Sequence, residues 1–326
     1  MKQPTGWPVD PTLFDPEQIP PVTRAFNAQL EMVLASVPSI LQVPVTVVRE
    51  ARSRGTSALG VIATSPRALT RLIPTPAGDL PLRIFQSPGA RGVLLHLHPG
   101  GWSLGAHDQQ DVLLESIAIT TGLSIVSVGY RLAPEHPYPA APDDCEQAAL
   151  WLIAQAAREF GSQRLFIGGE SAGAHLALLT LLRLRDRHGL RPFEAAYLTY
   201  GCFDLSLTPS AQRWGHRNLV LSTPILEQFV NWFAPNHDRR DPQLSPLYAD
   251  LKGLPAALFT VGTLDPLLDD SLFMACRYLA AGNTLEFALY PGAIHGFNLI
   301  PNEQSLAANA RIMAFLGQRL AQAPAK

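Results

Sequence analysis

Ser171 is the residue of this sequence most clearly set up for covalent chemistry. It stands in Gly169-Glu170-Ser171-Ala172-Gly173, with the apolar run Leu165-Phe166-Ile167 before it and a helix-forming run from Ala174 to Arg185 after it. That order predicts strand, sharp turn and helix, with the serine at the apex. Glycines two positions to either side are what so tight a turn requires, because bulkier residues there would collide. The turn exposes the hydroxyl and aims a helix N-terminus at it. The competing reading is a glycine-rich turn in which Ser171 only caps the helix.

A serine nucleophile needs a base, the base needs an acid, and the oxyanion formed on attack needs donors. The chain holds nine histidines. Where a Gly-x-Ser-x-Gly turn carries a triad, the order along the chain is serine, acid, histidine. The first acid after the apolar run 256–262 is Asp265, in Gly262-Thr263-Leu264-Asp265-Pro266-Leu267. One histidine follows it, His295, in Gly292-Ala293-Ile294-His295-Gly296-Phe297. Each of the three comes just after an expected strand. Asp269 and Asp270 are the alternative acids, but they fit better in the first turn of the next helix, whose dipole favours negative charge there. For the oxyanion, the run 92–97 ends in His98-Pro99-Gly100-Gly101-Trp102. Gly100 and Gly101 would supply two backbone N–H groups and Ala172 a third. His98, Trp102 and Glu170 are expected in supporting roles, with His98 hydrogen-bonding inside its own loop. His175, one turn into the helix, is expected to pack rather than react.

These residues need elements to hold them, and the pattern of the chain predicts which. From about residue 68 strands and helices alternate. A hairpin is expected over 69–73 and 80–85, turning at Pro76-Ala77-Gly78-Asp79. Strands follow at 92–98, 123–130, 165–168, 195–200, 256–262 and 285–290. Helices are expected at 108–121, 141–160, 171–187, 269–281 and 305–320. Such alternation implies a mostly parallel, doubly wound sheet with helices on both faces and ligands at the carboxyl ends of the strands. Two stretches stand outside the rhythm. Residues 1–65 carry helical spacing at Phe26, Leu30, Val33 and Leu34, then 45–54, then a loop with Gly55 and Gly60. Residues 204–248 are too long for a connection and are expected to contain a helix over 224–233. The expected organisation is a helical cap segment over 1–65 and a catalytic domain over 66–326, with 204–248 as a cap insertion.

Composition narrows the field. With 326 residues, 47% of them hydrophobic, the chain can bury a large core. Its formal charge of −2 and the lack of any basic block argue against a nucleic-acid partner. Three cysteines, far apart and without Cys-x-x-Cys spacing, read as free thiols in a reducing compartment. Residues 1–20 have no apolar h-region and no run of 18 apolar residues exists, so neither a signal peptide nor a membrane span is expected. A cytoplasmic protein acting on a small molecule is the expectation, with a homodimer open to it.

Five motifs in order carry a resemblance. They are His98-Pro99-Gly100-Gly101-Trp102, Tyr130-Arg131-Leu132-Ala133-Pro134-Glu135, Gly169-Glu170-Ser171-Ala172-Gly173, Asp265-Pro266-Leu267 and His295-Gly296-Phe297. Together they resemble the hormone-sensitive-lipase-like family of α/β-hydrolases, bacterial-type carboxylesterases with an N-terminal cap. The resemblance spans roughly residues 20–320. It implies an eight-stranded α/β-hydrolase fold and hydrolysis of short- to medium-chain carboxylic esters through an acyl-enzyme, without a cofactor. By family position it also implies Ser171, Asp265 and His295 as the triad. The sequence departs from the family at Pro99, where the first glycine of His-Gly-Gly-Gly usually stands, and at Glu170, where the better-known branch has aspartate. The residue after Tyr200-Gly201 is not the proline often found there.

Three other functions compete. Gly-x-Ser-Ala-Gly-Ala-His-Leu and a His-x-Gly-x-Trp loop also resemble arylformamidases, which use the same triad on a formamide. The Tyr130–Glu135 motif and Asp265-Pro266-Leu267 favour the esterase. A non-catalytic ligand-binding receptor of the same fold would have lost the histidine, and His295 is present. A metal pair at His96 and His98 would need further ligands at suitable spacing, and the sequence offers none.

Overall fold

The computed structural model describes residues 9–57 and 63–322. Gly60 and the first eight residues of the polar N-terminal stretch lie outside them. Eight strands run in chain order as β1 (Ala68–Thr75), β2 (Gly78–Phe85), β3 (Val93–Leu97), β4 (Ser124–Val128), β5 (Leu165–Glu170), β6 (Phe193–Thr199), β7 (Ala256–Leu264) and β8 (Leu285–Ile294). They form one sheet in the order β1-β2-β4-β3-β5-β6-β7-β8. The two pairings of β2 are antiparallel and all the others parallel. Every residue of β3, β4 and β5 is buried. Their Val, Leu and Ile runs lack a polar face because both sides of the sheet are covered.

Nine helices lie among the described residues: α1 (Pro21–Ala35), α2 (Val45–Ser53), α3 (Asp111–Thr121), α4 (Ala140–Phe160), α5 (Ala172–His188), α6 (Pro209–Arg213), α7 (Thr223–Phe233), α8 (Leu268–Ala280) and α9 (Glu303–Ala321). Alternate strand residues point to opposite faces. On one face Leu94, Phe166, Tyr197 and Leu258 pack with Ile117 of α3 and Phe315 of α9. On the other, Leu95, Ile167, Leu198 and Phe259 pack with Leu152 of α4, Leu176 of α5 and Met274 of α8. Each such side chain contributes about 1.5–3 kcal/mol on burial, so this two-sided core fixes the strand register that the polar site depends on.

The two N-terminal helices and the 204–248 segment meet at the carboxyl ends of the strands. In α1, Asn27 Nδ2 donates to the Gly292 carbonyl at 2.8 Å. Leu30 joins a cluster with Tyr200, Ile294 and Phe297. Glu31 pairs with Arg217 at 3.1 Å, and α2 reaches the loop after β3 through Arg49.

Four local differences from the sequence expectation stand out. Helix α3 begins at Asp111, not 108, because the buried Asp111 carboxylate is held from outside by Arg83 at 2.6 Å and the Ser65 N–H at 2.8 Å. Strand β8 continues past Pro291-Gly292 to Ile294, because an irregularity between Gly262 and Leu264 lets Leu264 pair with Ile294. The hairpin turn is Pro76-Ala77 alone, with Thr75 opposite Gly78. Helix α6 has five residues, too few to leave a periodic signal.

Candidate active site

Ser171 stands between the last residue of β5 and the first of α5, with φ 54° and ψ −120°. A non-glycine residue in that region is strained and persists only where its surroundings over-determine it. Here the Ser171 N–H donates to the Thr199 carbonyl at 2.9 Å, and its carbonyl accepts from the His175 N–H at 3.1 Å. The neighbouring glycines are set by contact with β3. A Cβ on Gly169 would lie 2.3 Å from the Leu97 carbonyl oxygen, and one on Gly173 would lie 1.9 Å from it. The Gly-x-Ser-x-Gly spacing thus records how closely the turn presses on the neighbouring strand. Although Ser171 occupies the capping position of α5, its hydroxyl caps no backbone group.

Instead the hydroxyl donates to His295 Nε2 at 2.8 Å. His295 follows β8 directly. Its Nδ1–H donates to Asp265, 2.9 Å from Oδ2 and 3.1 Å from Oδ1. Asp265 follows β7, is 2% exposed, and is steadied by the Leu267 N–H at 2.8 Å. An ionised carboxylate only accepts, so it holds the proton on Nδ1 and leaves Nε2 free to receive the serine proton. The Tyr200 ring lies tilted against His295, with centroids 4.7 Å apart, and Tyr200 donates to Asn298. Three side chains from the ends of β5, β7 and β8 therefore form one hydrogen-bonded line.

The loop after β3 lies beside this line, since His98 and Leu97 border Gly173. Gly100, Gly101 and Trp102 have successive φ values of 128°, 57° and 57°. Gly100 must be glycine, because a Cβ would sit 2.2 Å from the Leu104 carbonyl oxygen. Among the described residues, the Gly100 and Gly101 N–H groups donate to no backbone carbonyl. Ala172 opens α5, so its N–H has no partner within the helix. These three N–H groups thus have no backbone partner and stay free to donate. Pro99 lacks an N–H, and its carbonyl accepts from His98 Nδ1 at 2.9 Å. His98 stacks on Tyr130 with centroids 4.0 Å apart, and its burial pushes its pKa down to about 3.

The other candidates turn away from the serine. Glu170 is fully buried on the α3/α9 side of the sheet, where His96 Nε2 lies 3.0 Å from Oε2; His96 Nδ1 lies 2.9 Å from Ser127 Oγ. Both ring nitrogens of His96 are thus engaged, and no group of three or more His, Cys, Asp or Glu side chains among the described residues could hold a metal. Asp270 accepts from the Phe203 and Asp204 N–H groups at 2.7 and 3.0 Å and from Thr208 Oγ1 at 2.6 Å. It ties the loop after β6 to α8.

His175 has a link that the sequence reading missed. Trp102 Nε1 donates to His175 Nδ1 at 3.0 Å, and His175 Nε2 donates to the Leu244 carbonyl at 2.7 Å. Burial pushes the pKa of His175 down to about 4. Neutral His175 thereby ties the glycine loop to α5 and to the 204–248 segment. The pairing of a tryptophan with a histidine 73 positions away leaves no local sequence signal.

Comparison with known proteins gives a consistent set of relatives. A family described as alpha/beta hydrolase fold matches residues 94–299. A carboxylesterase of Mycobacterium tuberculosis is 34% identical over 67% of this chain and 71% of its own length. An ethyl acetate hydrolase of Pseudomonas putida is 35% identical over 67% and 71%. The crystal structure of a hormone-sensitive lipase from a metagenome library superposes with a TM-score of 0.81 at 26% identity, covering 91% of this chain and 98% of that one.

Proposed function

The chain belongs to the alpha/beta-hydrolase family, in its hormone-sensitive-lipase-like branch, and we propose that it hydrolyses carboxylic esters of short to medium chain length through a serine acyl-enzyme. The observation that carries this reading is the line from Ser171 Oγ through His295 to Asp265, each link 2.8–3.1 Å long. Ser171 attacks the ester carbonyl while His295 Nε2 takes its proton. Asp265 keeps the imidazole oriented and stabilises it once charged. The N–H groups of Gly100, Gly101 and Ala172 receive the oxyanion, each worth about 3 kcal/mol of barrier. His295 then hands the proton to the leaving alcohol. Water, activated by the same histidine, releases the acid by the reverse steps.

In this reading α1, α2 and the 204–248 segment roof the site. The ring of Phe229 in α7 packs so closely on Gly101 that a Cβ there would lie 2.4 Å from it, which favours short acyl groups. The three unpaired cysteines fit a reducing compartment such as the cytoplasm.

The test is a panel of p-nitrophenyl esters from acetate to decanoate, with N-formylkynurenine alongside. Acetate and butyrate should be turned over fastest. Ser171→Ala should abolish turnover and leave the circular dichroism spectrum unchanged. Full activity in that variant, or faster cleavage of the formamide than of any ester, would sink the proposal.

A further inference from the structure

Helix α2 sends one side chain to the loop that carries Gly100 and Gly101. Arg49 Nε donates to the Ser103 carbonyl at 2.8 Å and Nη2 to the Ala133 carbonyl at 2.6 Å. Nη1 and Nη2 hold the two Glu135 oxygens, each at 2.8 Å. The two carbonyls belong to residues tied to the glycine turn. The Ser103 and Leu104 N–H groups donate to the Gly100 carbonyl at 3.1 and 2.8 Å, and the Ala133 N–H donates to the Trp102 carbonyl at 2.9 Å. The Ser103–Leu104 peptide that Arg49 grips is thus one hydrogen bond from Gly100, and Ala133, whose carbonyl it grips, is tied to Trp102 through its own N–H.

That turn needs bracing. Gly100, Gly101 and Trp102 all have positive φ, and the tryptophan gains nothing intrinsically from that conformation. From below, Trp102 is pinned by His175. From the side of α2, the polar brace is Arg49. A planar fork with five donors meets four oxygens on three residues at once, which the three donors of an ammonium cannot do. Simple anchoring of α2 would need only the ion pair with Glu135, whose side chain is 44% exposed. Exposed pairs of that kind contribute little. The two carbonyl contacts are what anchoring alone leaves unexplained.

We propose that Arg49 is a positioning residue: it couples the seating of α2 to the aim of the Gly100 and Gly101 N–H groups. This rests on the reading of those groups as oxyanion donors. Such donors act on the tetrahedral state more than on the bound ester. Loosening them therefore lowers kcat and the affinity for a transition-state analogue, and leaves KM nearly alone.

The experiment compares wild type, Arg49→Met, Arg49→Lys and Glu135→Gln. It measures kcat and KM for p-nitrophenyl butyrate, inhibition by an alkyl trifluoromethyl ketone, and Tm. Arg49→Met should lose about ten- to a hundredfold in kcat, the scale expected of a small misplacement outside the reacting groups. KM should stay within about twofold, and the ketone should weaken by the same factor as kcat/KM. Arg49→Lys should fall between, and added guanidinium ion at millimolar concentration should restore part of the Arg49→Met loss. Glu135→Gln should change Tm by little and keep kcat.

Unchanged kcat and ketone affinity in Arg49→Met, with only a lower Tm, would overturn the proposal. So would a Glu135→Gln loss as large as that of Arg49→Met. If the methionine variant does not fold, the lysine variant carries the same readouts. A wild-type protein without ester turnover would remove the underlying reading and this proposal with it, whereas active wild type with an indifferent Arg49 removes this proposal alone.

Discussion

Ser171 and Gly173 show what a residue type means only in place. A serine before a helix ordinarily caps it, but the Ser171 hydroxyl is committed to His295. If that commitment is catalytic, Asp265→Asn should reduce kcat by about 10⁴, because it upsets the histidine tautomer while leaving the fold intact. Steady-state kinetics beside a thermal melt checks both halves, and a loss below tenfold would count against the role of Asp265. Gly173→Ala should act differently. Its Cβ would meet the Leu97 carbonyl at 1.9 Å, a backbone atom that cannot step aside, so the variant should be insoluble or destabilised by more than about 4 kcal/mol. Gly317→Ala in α9 meets nothing within 4 Å and should gain about 0.5–1 kcal/mol. Urea unfolding of the two alanine variants distinguishes close approach from simple flexibility. The serine, the acid and the histidine were legible because each follows an apolar run and the chain order restricts the choice. Tyr200 against His295 was not, since a tyrosine ending a strand carries no mark of the loop it will meet.

At the scale of elements, the loop after β3 is held by two buried, neutral imidazoles. Burial lowers His175 to about 4 and His98 to about 3. A histidine whose folded pKa lies below its unfolded value of 6.5 gives stability that is complete above pH 6.5 and is lost as pH falls toward the folded pKa. Stability should therefore decline between pH 6.5 and 4, and His175→Gln should flatten part of that slope, with His98 keeping the remainder. The urea midpoint measured across that range checks it, and identical slopes would refute the assignment. Helix α7 bears on substrate choice. Phe229→Ala should open the space above Gly101 and raise the rate on hexanoate relative to acetate, read from the ester panel. That a helix lies near 224–233 was legible, because residues 204–248 are too long for a connection. Its seat on Gly101 was not, because the contact joins positions 128 apart (229 − 101).

For the whole molecule, the core explains why the site can be polar and strained. Two apolar layers hold β3, β5, β7 and β8 in register, and the hydrogen-bonded line of Ser171, His295 and Asp265 occupies only their ends. Chemical accessibility should follow the same division. Cys145 and Cys202 are buried and Cys276 is exposed. A thiol reagent such as 5,5′-dithiobis(2-nitrobenzoic acid) should modify one thiol in the native protein and all three in urea. Two fast thiols in the native state would mean that the loop after β6, which carries Cys202, is looser than its ties to Asp270 imply.

By itself the sequence determined the alternating strand–helix plan, the doubly wound sheet and the order of the three candidate residues. These follow from local runs: buried strands read as unbroken apolar stretches, and a tight turn must have its glycines. The tertiary structure alone decided contacts between residues far apart in the chain. Arg49 meets the Ser103 and Ala133 carbonyls, Glu170 turns to His96, His175 joins Trp102 to Leu244, and Ser171 itself meets His295 across 124 positions. No local pattern encodes such meetings, because each depends on the strand order and on which face of the sheet a residue's parity assigns it to.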